Sequence, residues 1–126
     1  ERDQGQLKEA VKSFRAFLKN YPQSKYRPQA EKLLASAEGR LFDHEWYVAE
    51  FYAKRERWAG AAGRLEGLVR DFPSSPRESD ALYALARSYL KMGERYRAQQ
   101  TLQQFVVKYP QDDRRGDAEK LLAEIR

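Results

Sequence analysis

Arg64-Leu-Glu-Gly-Leu-Val-Arg-Asp-Phe-Pro73 decides the fold, because the chain carries the same phrase three times. Its counterparts are Ser13-Phe-Arg-Ala-Phe-Leu-Lys-Asn-Tyr-Pro22 and Thr101-Leu-Gln-Gln-Phe-Val-Val-Lys-Tyr-Pro110. Each copy closes on an aromatic residue followed by Pro, and eight residues after each Pro stands an alanine: Ala30, Ala81 and Ala118. Between the first and third copies the match runs on. Tyr21-Pro22-Gln23 leads to Ala30-Glu31-Lys32-Leu33-Leu34-Ala35, and Tyr109-Pro110-Gln111 leads to Ala118-Glu119-Lys120-Leu121-Leu122-Ala123. Self-similarity of this kind marks a repeat protein.

The apolar spacing shows what each repeat is made of. Leu7, Ala10, Val11, Phe14, Phe17, Leu18 and Tyr21 recur at the three-and-four spacing of one helix face. The positions 51 residues later, Trp58, Ala61, Ala62, Leu65, Leu68, Val69 and Phe72, are apolar again. The third copy keeps Ala98, Leu102, Phe105, Val106 and Tyr109 but has Arg95 and Gln99. Each helix ends at its Pro, which restricts the residue before it and cannot continue the hydrogen-bond ladder. Ahead of the third copy, Ala81, Leu82, Leu85, Ala86, Tyr89 and Leu90 form another amphipathic helix, joined to it by Met92-Gly93-Glu94. The unit is helix, short turn, helix, Pro-bearing turn.

These positions fit the tetratricopeptide pattern. The last repeat places Leu82, Leu85, Ala86 and Tyr89 on its first helix and Ala98, Leu102 and Phe105 on its second. Small Ala86 and Ala98 sit where the two helices approach closely. From Pro73 the count gives Val48, Ala49 and Tyr52, then Ala61, Leu65 and Leu68; from Pro22 it gives Gly5 in the turn and Ala10, Phe14 and Phe17 beyond it. The expectation is an all-α, tetratricopeptide-like solenoid of helical hairpins over 1–126, about three repeats ending near Pro22, Pro73 and Pro110. On this count the chain begins halfway through a repeat and ends on an unpaired helix, about Asp117 to Arg126, as a piece of a longer solenoid would. The opening at Glu1, without Met or a signal-peptide pattern, reads as processed or cut.

One interval is irregular. Pro73 to Pro110 is 37 residues, but Pro22 to Pro73 is 51. The surplus lies where Ala30, Leu33, Leu34, Ala37, Leu41, His44, Val48 and Phe51 keep a helical stripe running through Gly39. A single overlong helix is expected from Pro28 to Arg55, roughly 42 Å at 1.5 Å per residue, with a kink at Gly39 as the alternative. Such a helix overshoots its partner and projects a face for binding.

Composition excludes several classes. The chain of 126 residues is 41% apolar and 34% charged, within the range of folded domains. Its longest apolar run, Ala81 to Ala86, is far short of the ~20 residues a membrane helix needs. With no Cys there is no disulfide, thiolate metal site or cysteine nucleophile. Net charge is +5, yet the basic residues are spread through every segment among acids. The densest cluster, Asp112-Asp113-Arg114-Arg115, neutralises itself, so a solvated helical surface is expected rather than a nucleic-acid site.

No constellation suggests catalysis, a cofactor or a metal. His44 is the sole histidine and reads as a packed or hydrogen-bonded structural residue on the apolar stripe. Asp43, His44 and Glu45 are adjacent and cannot converge from one helix. The serines include no nucleophile elbow and the glycines no phosphate loop. Trp46, Tyr47, Phe51, Tyr52 and Trp58 suit a ligand cage or an inter-helix core, and core is the reading adopted.

The stretch His44-Glu45-Trp46-Tyr47-Val48-Ala49-Glu50-Phe51-Tyr52, followed by Arg64 to Pro73 and by Asp80-Ala81-Leu82, closely resembles the BamD (YfiO/ComL) family of outer-membrane assembly lipoproteins. The flanking Phe17-Leu-Lys-Asn-Tyr-Pro-Gln-Ser-Lys-Tyr26 is similar to it as well. The resemblance covers essentially the whole chain, and the His44–Tyr52 stretch is its most specific part. It implies a non-enzymatic scaffold of the β-barrel assembly machinery at the periplasmic face of the outer membrane. The implied partners are the membrane-proximal POTRA domain of BamA and other assembly-machinery lipoproteins, with membrane association through a lipid anchor that this chain does not carry. Arg64 matches the family arginine that faces an acidic POTRA residue, and it should be exposed beside Leu65. Arg57 and Tyr52 complete the candidate protein-binding set. Two other readings stand beside this one: a periplasmic adaptor of the Tol-Pal coordinator type, and a nucleic-acid-binding helical repeat motivated only by charge.

Overall fold

The computed structural model describes residues 2–125, with side chains from residue 4 onward. Six helices follow one another: α1 (Arg2–Asn20), α2 (Arg27–Lys54), α3 (Trp58–Asp71), α4 (Glu78–Lys91), α5 (Arg95–Lys108) and α6 (Arg115–Ile125). Among the described residues there is no strand. The chain divides into two compact units, Glu1–His44 and Glu45–Arg126.

The turn ending each repeated phrase has the same construction three times. The amides of Tyr21, Phe72 and Tyr109 donate to the carbonyls of Phe17, Leu68 and Phe105 at 2.8–2.9 Å, closing the helix before Pro. Ser24, Ser75 and Asp112 then occupy one position: each side chain accepts from the amide two residues on, at 3.1, 3.1 and 2.9 Å. Such short polar residues compete for backbone donors and so favour a turn over continued helix. The other kind of turn is also repeated. Glu56 and Gly93 both have positive φ, 56° and 77°. The following amides, of Arg57 and Glu94, reach back to Tyr52 and Tyr89 carbonyls at 2.9 Å. This is a left-handed helix stop that glycine adopts freely and glutamate does not.

In the first unit, α1 packs with the early part of α2. Val11, Ala30, Ala37, Leu41 and Phe42 are buried, and Arg15 pairs with Glu38. Phe14, Phe17 and Leu18 are only half-buried. Gly5 lies inside α1, not in a turn as the repeat count placed it, because the helix begins at Arg2.

In the second unit, α3, α4, α5 and α6 pack successively. Leu82, Ala86, Leu102, Phe105, Ala118 and Leu122 form the core, and Ala86 and Ala98 are wholly buried where small residues were required. Each large side chain there contributes about 1.5–3 kcal/mol by leaving water. The expected terminal helix is α6, which packs on α5 through Ala118 and Leu122.

The overlong helix is α2, and it remains helical through Gly39, where a Cβ would meet nothing within 4 Å. The stripe drawn along it needs correction. His44 is exposed rather than packed, as are Leu33 and Phe51. Ala30, Ala37, His44 and Phe51 are spaced by seven, and each such step falls about 20° short of two full turns. The line therefore slides off the buried face, and Phe42 and Ala49 are buried instead. The aromatic cluster is not a core either. Tyr47 is 68% and Phe51 43% exposed, while Trp46, Tyr52 and Trp58 are half-buried.

Candidate protein-docking surface

α3 buries Ala61, Ala62, Leu65 and Leu68. Arg64 falls outside that line and is exposed, as the spacing required. Its Nη1 donates to Glu45 Oε2 of α2 at 3.0 Å, with the two side chains 45% and 27% exposed. A pair this open to water is worth about 0–1 kcal/mol. It orients the guanidinium while leaving it available to another carboxylate.

Arg57 directly precedes α3. Its side chain is exposed and makes no capping bond, while its amide is held by the Tyr52 carbonyl. The Tyr52 ring lies flush against α3: a Cβ built on Gly60 would stand 3.0 Å from ring atoms Cγ and Cδ1. Only glycine admits the ring without displacement. Tyr52 and Arg57 therefore meet at the turn, and Arg64 stands seven residues further, about 10 Å along α3. Tyr52 serves chiefly to pack the hairpin, and the two arginines are what the surface presents.

Two tyrosine–glutamate clamps were not foreseen from sequence. Tyr89 Oη donates to Glu66 Oε2, with Arg97 Nη1 3.8 Å from the same oxygen. Tyr109 Oη donates to Glu78 Oε1, and Lys108 Nζ lies 2.5 Å from that atom while also donating to the Pro73 carbonyl at 3.0 Å. Glu78 is 1% exposed. Burial first, then the hydrogen bonds to these carboxylates, pushes both tyrosine hydroxyls up to about 12. The one sequence cue was a change of sign: Glu78 occupies the position held by Arg27 and Arg115 in the other copies.

Of the cluster at 112–115, expected to neutralise itself, Arg114 pairs with Asp112 inside it while Arg115 pairs with Glu119 outside it. Arg114 donates from Nε and Nη2 to Asp112 and reaches Asp80 at 2.9 Å. Hydrogen bonding from Arg114 holds the Asp112 carboxyl below its usual value, and the same bond raises the guanidinium further. Among the described residues no group of three His, Cys, Asp or Glu is placed to hold a metal ion, and no helix is long and apolar enough to cross a membrane.

Packed helical hairpins with repeated turns define a tetratricopeptide-like repeat protein. The chain belongs to the YfiO family, described as an outer membrane lipoprotein, whose model matches residues 1–104. It is similar to the outer membrane protein assembly factor BamD of Xylella fastidiosa, with 31% identity over 112 residues, 86% of this chain and 38% of that protein. The factor of the same name from Haemophilus influenzae is 29% identical over 92 residues, covering 73% and 35%. That of Vibrio cholerae is 28% identical over 93 residues, covering 74% and 39%. The chain thus spans less than two-fifths of the length of these relatives.

Proposed function

We propose that the chain is a non-enzymatic scaffold module for outer-membrane protein assembly, working at the periplasmic face of the outer membrane. Its partner is the POTRA domain of BamA nearest the barrel, docked on α3 and the adjoining part of α2. The observation that carries this reading is Arg64: exposed, oriented by the weak Glu45 pair, and at the start of the Arg64–Pro73 segment that resembles the family. A guanidinium grips a carboxylate through two parallel hydrogen bonds, and an ammonium does not. Docking exchanges Glu45 for an acidic POTRA side chain, with Arg57 at the rim. Other assembly-machinery lipoproteins are further partners of the same scaffold.

The test is calorimetric titration of purified POTRA domain into wild type, Arg64→Ala, Arg64→Lys and Arg97→Ala. Arg64→Ala should lose about 2 kcal/mol or more, as a hot-spot arginine does, and lysine should recover only part. Arg97, 60% exposed and 3.8 Å from Glu66, should matter little. Equal affinities throughout would remove Arg64 from the site. Absence of binding by wild type would favour an adaptor of the Tol-Pal coordinator type.

A further inference from the structure

The second unit neutralises its cations at one end and leaves them unpaired at the other. At the Pro-turn end, Arg70 is paired with Asp71 at 3.0 Å, Lys108 with Glu78 at 2.5 Å, Arg114 with Asp112 and Asp80 at 2.9 Å, and Arg115 with Glu119 at 2.7 Å. The opposite end is made by the α2–α3 and α4–α5 turns. They are neighbours: Lys91, ending α4, sets its Nζ 5.9 Å from the ring of Trp58, which begins α3. Here stand Lys54, Arg55, Arg57, Lys91 and Arg95, all exposed, with Glu56 and Glu94 in the turns themselves and Asp117 and Glu124 of α6 lining the cavity beside Lys91. Among the described residues none of the five has a carboxylate partner. Arg55 stacks its guanidinium 3.6 Å from the Phe51 ring centroid and donates to the Phe51 carbonyl.

Lys54 and Lys91 close α2 and α4, where a cation suits the helix dipole, and Arg55 is bound to Phe51, but Arg57 and Arg95 have no such role within the chain. Arg57 and Arg95 sit where α3 and α5 begin, neither helix has an acid in its first turn, and cations at that end oppose the helix dipole. Large side chains are exposed among the cations: Tyr96 at 72%, Met92 at 37% and Phe51 at 43%. Basic residues interleaved with aromatic and flexible apolar ones, on protruding turns, are the chemistry that engages a lipid headgroup layer. Cations take the phosphates while the aromatic and thioether side chains enter the interface. A bilayer surface requires no shape-matched pocket, which suits a site made of hairpin ends.

We infer that the α2–α3 and α4–α5 turns form a docking surface for an anionic phospholipid membrane. This inference does not use Arg64; it shares Arg57 with the rim of the proposed POTRA contact, and vesicle binding measured without the POTRA domain tests it separately. The test is co-sedimentation of the chain, at low salt, with vesicles of phosphatidylcholine alone or mixed with phosphatidylglycerol. Wild type should bind only the mixed vesicles, and added salt should release it. Each cation near an anionic surface strengthens binding about fivefold, so Arg57→Glu/Lys91→Glu/Arg95→Glu should weaken it about 100-fold or more. The control Arg70→Glu/Arg77→Glu/Arg115→Glu changes net charge equally at the other end and should retain most of the binding. Circular dichroism melts establish that both triples are folded. The inference is overturned if wild type ignores the anionic vesicles, or if both triples lose binding equally. Wild type that binds polyglutamate but no vesicle would assign the surface to an acidic protein and overturn it too.

Discussion

Replacing Tyr109 by phenylalanine isolates one bond of the Glu78 clamp. The ring still packs beside Phe105, at 6.2 Å between centroids, so only the hydroxyl is lost. Glu78, 1% exposed, has no water to replace it. A hydrogen bond to a charged group contributes about 1.5–3 kcal/mol. Because Lys108 still faces the carboxylate, Tyr109→Phe should fall in the lower half of that range. Adding Lys108→Met leaves a buried carboxylate without its ionic partner, and the double variant should lose about 3–5 kcal/mol. The assay is urea unfolding followed by circular dichroism, with Tyr96→Phe as reference. Tyr96 is 72% exposed, so its change should stay within about 0.5 kcal/mol.

The same clamps set an alkaline limit. Tyr89 and Tyr109 ionise at about 12 in the fold against 10 ordinarily. A pKa raised by folding stabilises fully below the unfolded value and ceases to do so as pH passes the folded one. Stability should therefore fall between pH 10 and 12, and less steeply in Tyr89→Phe/Tyr109→Phe. A Tyr109→Phe variant as stable as Tyr96→Phe, with an unchanged alkaline profile, would refute the clamp.

Three further outcomes are expected from the packing. Leu102→Ala, at a wholly buried site, should cost about 2–5 kcal/mol in denaturant unfolding, and Leu65→Ala the same. Gly60→Ala drives a methyl against the Tyr52 ring, 3.0 Å away, and should cost about 1–3 kcal/mol; Tyr52→Leu in the same chain should relieve it. Gly39→Ala, with nothing within 4 Å of the new methyl, should raise stability by about 1 kcal/mol if α2 is continuous there, and a loss would mean it is not.

Much of the fold was legible because its punctuation is local. The aromatic-Pro ends and the small Ala86 and Ala98 of the last hairpin could be read from spacing alone, whereas the shared turn bonds of Ser24, Ser75 and Asp112 were seen only in the structure. The length of α2 was legible for the same reason, since no breaker interrupts it apart from Gly39, which a helix tolerates. What sequence could not show depended on facing partners. A seven-residue line is not a helical face over three steps, so His44 and Phe51 were misplaced. The Glu78 and Glu66 clamps join residues 31 and 23 positions apart, and no local pattern announces them. Arg64 was correctly expected outside the apolar line, while its Glu45 partner required the packing of α2 on α3.

The docking account rests on Arg64 meeting a carboxylate, and charge exchange tests that contact itself. Arg64→Glu should abolish measurable titration of the POTRA domain. Reversing each acidic POTRA residue in turn to arginine should identify one variant that wild type no longer binds and that Arg64→Glu binds again. Recovery of most of the roughly 2 kcal/mol or more lost, for one such pair only, is the predicted result. If no reversed POTRA variant restores binding to Arg64→Glu, or if Arg64→Glu binds as wild type does, the proposed contact is contradicted.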